Sequence, residues 1–173
     1  MGEARKATQT SSPEPMFAQY ADGPAQLEEA IAGLAEAGLD AVLSADSWSI
    51  RQIVHHVADG DDIWKTCIKM ALGNSQGVFD LLWYWAMPQT AWAETWNYAE
   101  RAIEPSLALF RANRYHVVQL MQQIPEAWER RALLKQRDGQ ETEITVGQVI
   151  EIQARHVVQH VNDIRAIRQA HHM

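Results

Sequence analysis

Near the end of the chain, RHVVQHVNDI (residues 155–164) places two histidines four residues apart, and upstream VHHVAD offers another pair. Positions four apart on a helix differ by about 40° in direction and lie roughly 6 Å apart along the axis, so His156 and His160 share one face. The apolar stripe around them is Val146, Val149, Ile150, Val157, Val161 and Ile164, with His160 within it and His156 at its edge. Such a pair can be two core histidines bonded to neighbours. The residues on the same face are aliphatic, however, and buried imidazoles without partners cost a few kcal/mol. A divalent cation resolves that cost, because a neutral imidazole nitrogen is a common ligand for zinc and similar ions.

A third ligand has to come from elsewhere. His55 and His56 are adjacent, about 100° apart on a helix, and cannot both face one point. His55 is flanked by Arg51 and Asp59, which points it to the surface or to the periphery of the site. His56 is flanked by Ile53 and Gly60, which favours it as the inward one. His116 reads as a packed or interfacial residue, and His171 and His172 belong to a fraying tail. Three histidines from two helices would leave positions on the cation open, the pattern of a catalytic site; a closed structural zinc site uses four protein ligands, typically including cysteine. This chain has a single cysteine, Cys67, which reads as a small buried hydrophobe.

The elements that must position these residues follow from periodicity. A first helix begins at Pro24 in GPAQLEEAIAGL, with Leu27, Ile31 and Leu34 at helical spacing and Gly38 as its stop. A second opens with the capping pair Ser49 and Gln52 and ends at Gly73-Asn74, with Ile50, Ile53, Val54, Val57, Trp64, Ile68 and Ala71 on one face. A third spans Pro105 to Gln123 and carries Phe110, Tyr115 and Val117, and Pro125 stops it. The last starts at a second capping pair, Thr145 and Gln148, and runs to about Arg168. Between the second and third helices, residues 74–104 form a tryptophan-rich connection, long enough to join helices that run the same way. RRALLKQRDGQETEIT, with its Asp138-Gly139 turn, reads as a β-hairpin before the last helix. The expected fold is all-α: a four-helix bundle with a long crossover between its second and third helices and a small hairpin.

The 173 residues suit one core, 47% of them are hydrophobic, and the net charge is −7. With no lysine/arginine run, nucleic acid is not an expected partner. The longest apolar run, VFDLLWYWAM, is about half a membrane span, and no export signal opens the chain. A lone cysteine fits a reducing cytoplasm. Residues 1–22, polar and broken by Pro13 and Pro15, read as a flexible arm, residues 23–168 as the domain and 169–173 as a tail.

SWSIRQIVHHVADGDDIW followed by ARHVVQHVNDI resembles the DinB/YfiT-like family of metal-binding four-helix proteins, and most nearly its YfiT-like branch. PAQLEEAIAGL, PQTAWAE and EPSLALFRANRYHVVQLMQQI extend the resemblance over residues 23–168. It implies up-down-down-up connectivity and a nickel- or zinc-like ion held by His56, His156 and His160. Asp59-Gly60-Asp61 stands where that branch has D-S-H, His156-Val157 where it often has H-H, and Ile152-Gln153 where it has a tryptophan-histidine pair. The family includes metal-dependent hydrolases and thiol S-transferases that use low-molecular-weight thiols such as bacillithiol or mycothiol. Thiol transfer is the leading expectation for this chain, with hydrolysis as one alternative and a non-catalytic, metal-stabilised binding or dimerisation module as another. A homodimer is expected. Asp59, one turn from His56, is a candidate to orient an imidazole. Trp64, Trp83, Trp85, Trp92 and Trp96 are candidate walls of the pocket, or ordinary core.

Overall fold

The computed structural model describes residues 13–173. Four long helices form the body: α1 (Pro13–Ile31), α3 (Ile50–Gly73), α6 (Glu104–Gln123) and α7 (Val146–Ala170). A short α2 (Glu36–Leu39) follows α1, and the long connection carries β1 (Val78–Asp80), α4 (Leu82–Trp85) and α5 (Gln89–Thr95). After α6, a 3-10 turn (Ala127–Glu129) leads into β2 (Arg131–Lys135) and β3 (Glu141–Thr145). The principal packing sets α1 and α3 each against both α6 and α7. Of the consecutive long helices, α3 and α6 pack side by side, whereas α1 and α3, and α6 and α7, lie across the bundle from each other.

Both anticipated capping boxes are present. Ser49 accepts from the Gln52 N–H while the Gln52 side chain accepts from Ser49 N–H, and Thr145 and Gln148 repeat the exchange at the start of α7. The apolar stripe of α7, from Val146 to Ile164, is buried as the periodicity requires. The hairpin pairs antiparallel, with Arg131 opposite Thr145 and Leu133 opposite Glu143. A third strand, β1, joins it in parallel, with Val78 opposite Leu133. That strand was not anticipated, because its partner lies 55 residues further along the chain.

The first helix differs from expectation at both ends. It begins at Pro13, so residues 13–22 are helical and not part of an arm; residues 1–12 lie outside the described residues. It ends at Ile31, where Gly33 takes a positive φ of 74° that a side chain would disfavour, and α2 starts afresh. Pro24 is inside this helix, not at its first turn. A proline there has no N–H to offer the carbonyl four residues back, Tyr20. The guanidinium of Arg114 on α6 supplies the missing donor, its Nη1 bonding the Tyr20 oxygen at 2.8 Å.

Arg114 is 1% exposed and reaches all four long helices. Its Nε donates to Asp61 Oδ1 on α3 at 2.6 Å, its Nη2 to the main-chain oxygen of Gln153 on α7 at 3.1 Å, and its charge lies 3.8 Å from the Tyr20 ring centroid. The core falls into two apolar clusters. One, around Ile68, Phe79, Leu134 and Val149, sits under the sheet; the other, around Leu27, Ile53, Phe110 and Val157, fills the opposite end. On every long helix the changeover between them comes at the Arg114 layer.

Candidate metal centre

The site lies on the seam between α3 and α7, beside the second apolar cluster. Its register on α3 is set by the Ser49 cap, which starts the helix seven residues before His56; on α7, the buried stripe fixes which side faces the bundle. The Nε2 atoms of His56 and His156 are 3.0 Å apart, and those of His156 and His160 are 3.1 Å apart. The ring centroids lie within 4.6 to 4.9 Å of one another. Three nitrogens thus turn toward a common point from two helices. Two donors at about 2.1 Å from an ion, separated by about a right angle, are about 3.0 Å apart, so the observed spacing fits three nitrogen ligands of one divalent cation.

Electrostatics point the same way. Burial, reinforced by the neighbouring rings, lowers the His56 pKa to about 2 and that of His156 to about 3, and burial lowers His160 as well. All three are therefore neutral at physiological pH, the form in which imidazole ligates metal. His160 donates from Nδ1 to Asp163 Oδ2 at 3.0 Å, which leaves its Nε2 as a bare acceptor. A carboxylate behind a ligating imidazole sets the tautomer and raises its basicity. The adjacent lone pairs have only one another for company, a poor arrangement without a cation between them. These three residues are the histidine, cysteine, aspartate and glutamate group that brings its ligand atoms within 4.8 Å among the described residues.

Several neighbours depart from the sequence reading. His55 is not at the surface: it is wholly buried, its Nδ1 2.8 Å from Ser106 Oγ and its Nε2 3.2 Å from the Arg101 oxygen. The flank that suggested exposure is itself engaged, since buried Arg51 pairs with Glu36 and Asp40 at 2.6 and 2.7 Å. Asp59 does not orient an imidazole; it accepts from the Tyr98 hydroxyl at 2.7 Å and lies 3.8 Å from Arg101. Asp163 performs the role expected of Asp59, and its place three residues after His160 on one helix was the available signal. His116 is exposed and not packed, and His171 reaches back to the Val42 oxygen at 2.8 Å instead of fraying.

The tryptophans sort themselves by ring contact. Trp48 lies over the site, 4.4 Å from His56 and 6.3 Å from His160 between centroids, although only the connection's rings and Trp64 had been singled out. Trp64 packs on Phe79 in the core, and Trp85 lies under the Arg137 guanidinium. Trp83, Trp92 and Trp96 stack with Tyr84 and Tyr98 in a cluster of their own on the connection. A cleft of about 230 Å³ bounded by Leu43, Trp48, Ile53, Ile167 and the His160–Asp163 pair borders the site.

A family profile described as the DinB superfamily matches residues 19–164 and so takes in both helices that carry the imidazoles. The chain belongs to the DinB superfamily. No curated protein sequence matches it. Among solved structures, it is similar to YfiT from Bacillus subtilis, described as a probable metal-dependent hydrolase with an unusual four-helix bundle topology. The likeness covers 98% of this chain and 93% of that one, with a TM-score of 0.77 and 19% identity. It is also similar to a mycothiol-dependent maleylpyruvate isomerase, over 89% of this chain and 61% of that one, with a TM-score of 0.65 and 13% identity. At these identities the likeness is one of fold: a mostly helical four-helix bundle of the DinB/YfiT kind, with a small three-stranded sheet before the last helix. No helix among the described residues is long and apolar enough to cross a membrane.

Proposed function

We propose that this DinB-superfamily chain is a divalent-metal-dependent enzyme acting on small molecules, and that its chemistry is thiol S-transfer. The observation that carries the reading is the convergence of three imidazoles from two separate helices, with His156 Nε2 at 3.0 Å from that of His56 and 3.1 Å from that of His160, and all three ligand atoms within 4.8 Å of one another. Nickel or zinc suits an all-imidazole donor set. The cation supplies positive charge that favours the deprotonated form of an incoming thiol or water near neutral pH. The chain's own residues do the rest: three imidazoles hold the ion, Asp163 fixes the His160 tautomer, and the Trp48 ring covers one side and excludes water from it.

One feature favours thiol transfer over hydrolysis, and another says where the thiol would come from. A hydrolytic site is helped by a free carboxylate that acts as general base on the attacking water. Here the nearby carboxylates are engaged or sealed off: Asp61 is 1% exposed and paired through Oδ1 with Arg114, Asp163 is bonded to His160, Asp59 to Tyr98, and Asp62 to Lys65 and Asn113. The chain's only thiol, Cys67, is fully buried and pushed up to about 12 by desolvation, so a reacting thiol has to arrive as a cosubstrate. Hydrolysis is the second reading, supported by the likeness to YfiT. The proposal extends to a cytoplasmic homodimer, for which the connection's aromatic cluster, with Trp83 52% exposed, offers a face.

Apo protein reloaded with Zn²⁺ or Ni²⁺ and offered low-molecular-weight thiols with electrophiles should consume thiol only when metallated, and the His156→Ala variant should not. Cleavage of esters or amides without thiol consumption would favour hydrolysis. Stoichiometric metal with neither reaction would make the chain a non-catalytic module.

A further inference from the structure

Three buried side-chain atoms lack a hydrogen-bond partner among the described residues: His156 Nδ1, Gln153 Oε1 and Asp61 Oδ2. Orphaned buried polar atoms are scarce in folded proteins and each costs a desolvation penalty. Their chemistry is complementary. Once the His156 Nε2 lone pair is committed to a cation, the neutral ring carries its proton on Nδ1, which becomes a donor. The other two orphans are acceptors.

They also share one neighbourhood. Gln153 lies three residues before His156 on α7, a spacing that stacks side chains on one face. The Arg114 guanidinium bonds Asp61 Oδ1 through Nε and the Gln153 main-chain oxygen through Nη2, so both residues sit against the same edge of one planar group. Gly60, next to Asp61, lies against the His156 ring: a Cβ there would be 3.7 Å from Cε1, the carbon bonded to Nδ1. Gln153 and Asp61 are 3% and 1% exposed, out of reach of bulk solvent.

We propose that Gln153 is the positioning residue for His156, and that Asp61 holds Gln153 in turn. The assignment of oxygen and nitrogen in a carboxamide is a matter of rotation. With the Gln153 side chain turned toward the ring, its Oε1 accepts the His156 Nδ1–H and its Nε2 donates to Asp61 Oδ2. That single rotation satisfies all three orphans and produces a continuous chain, Arg114 to Asp61 to Gln153 to His156, that ends at the cation. Asp163 does for His160 what Gln153 does for His156, from the other end of the same helical segment. The inference rests on the metal-binding reading above.

The test is Zn²⁺ affinity by chelator competition, together with the imidazole N–H spectrum of the Zn²⁺-loaded protein. Partners of this kind are typically worth 10- to 100-fold in metal affinity, so Gln153→Leu should weaken Zn²⁺ binding by about that factor and lose the slowly exchanging His156 Nδ1–H resonance. Gln153→Glu keeps an acceptor for the ring but sets two carboxylates against each other, and should also bind weakly. Exchanging the two groups, in Asp61→Asn with Gln153→Glu, restores a donor at 61 and an acceptor at 153 and should recover affinity to within about threefold of the parent. That paired variant decides the matter if Gln153→Leu fails to fold. Gln153→Leu that binds Zn²⁺ like the parent, and is more stable because an unpaired amide has been removed, would overturn the inference and leave the metal centre standing. A parent protein that takes up no divalent ion would overturn both.

Discussion

His55 and His56 are neighbours in sequence, both buried, and yet they end in opposite chemical situations. On the α3–α6 side, His55 has a partner for each ring nitrogen, the Ser106 hydroxyl and the Arg101 carbonyl, and its job ends with joining the connection to the helix. On the α3–α7 side, the His56 Nε2 meets only another imidazole. A step of 100° around the helix turns a histidine that the protein satisfies into one that it leaves to be satisfied by something else. Burial alone does not distinguish them. The identity of the partners does.

The largest effect that can test this contrast is deletion on either side. His156→Ala should abolish stoichiometric divalent-metal binding in a chelator-competition titration. His55→Ala should leave binding within a few-fold of the parent but lower unfolding free energy by about 2–3 kcal/mol in urea, from lost packing and an orphaned Ser106 hydroxyl. Equal loss of metal in both variants would erase the distinction. Asp163→Asn is the intermediate case. It removes the carboxylate behind His160 without removing a ligand, and metal affinity should fall about 10- to 100-fold with little change in the apo protein's stability.

A separate test is the effect of pH on the apo protein. His56 and His156 have folded-state pKa values lowered to about 2 and about 3, while the unfolded chain titrates near 6.5. Below about pH 6.5 the unfolded state therefore binds protons that the folded state does not. The corresponding stability is fully present above that value and is lost as the pH falls toward 3. Urea midpoints measured between pH 7.5 and 4.5 should decline for the parent and flatten in a His56→Ala, His156→Ala double variant. His55 and His160, also lowered by burial, keep part of the slope in both proteins.

What the sequence disclosed, and what it withheld, divides along the range of the forces involved. Ser49 with Gln52 and Thr145 with Gln148 announced two helix starts because a capping box is complete within four residues. His56, His156 and His160 were legible because helical geometry and the family motif pointed to the same three. The failures were long-range. Pro24 looked like a helix start because the donor that makes it tolerable inside α1 comes from Arg114, 94 residues beyond Tyr20. His55 was assigned to the surface or the periphery of the site because its charged flank, Arg51 and Asp59, gives no hint that Glu36, Asp40 and Tyr98 will come to meet it. Trp48 was overlooked beside a richer supply of tryptophans in the connection, although it stands only eight residues before His56. The motif departures at 61 and 153, ninety-odd residues apart, both contact the same guanidinium.

Arg114 also makes the first helix depend on the rest of the bundle. Until α6 arrives, the break that Pro24 makes in α1 leaves the Tyr20 carbonyl to water, and the first helix is two short half-helices of doubtful persistence on their own. In the folded bundle the Arg114 guanidinium bridges that break, gives Asp61 its counter-ion and holds the Gln153 carbonyl of α7. Continuity of α1 across Pro24 thus leans on a contact from α6, and a lesion at position 114 should be felt in all four long helices.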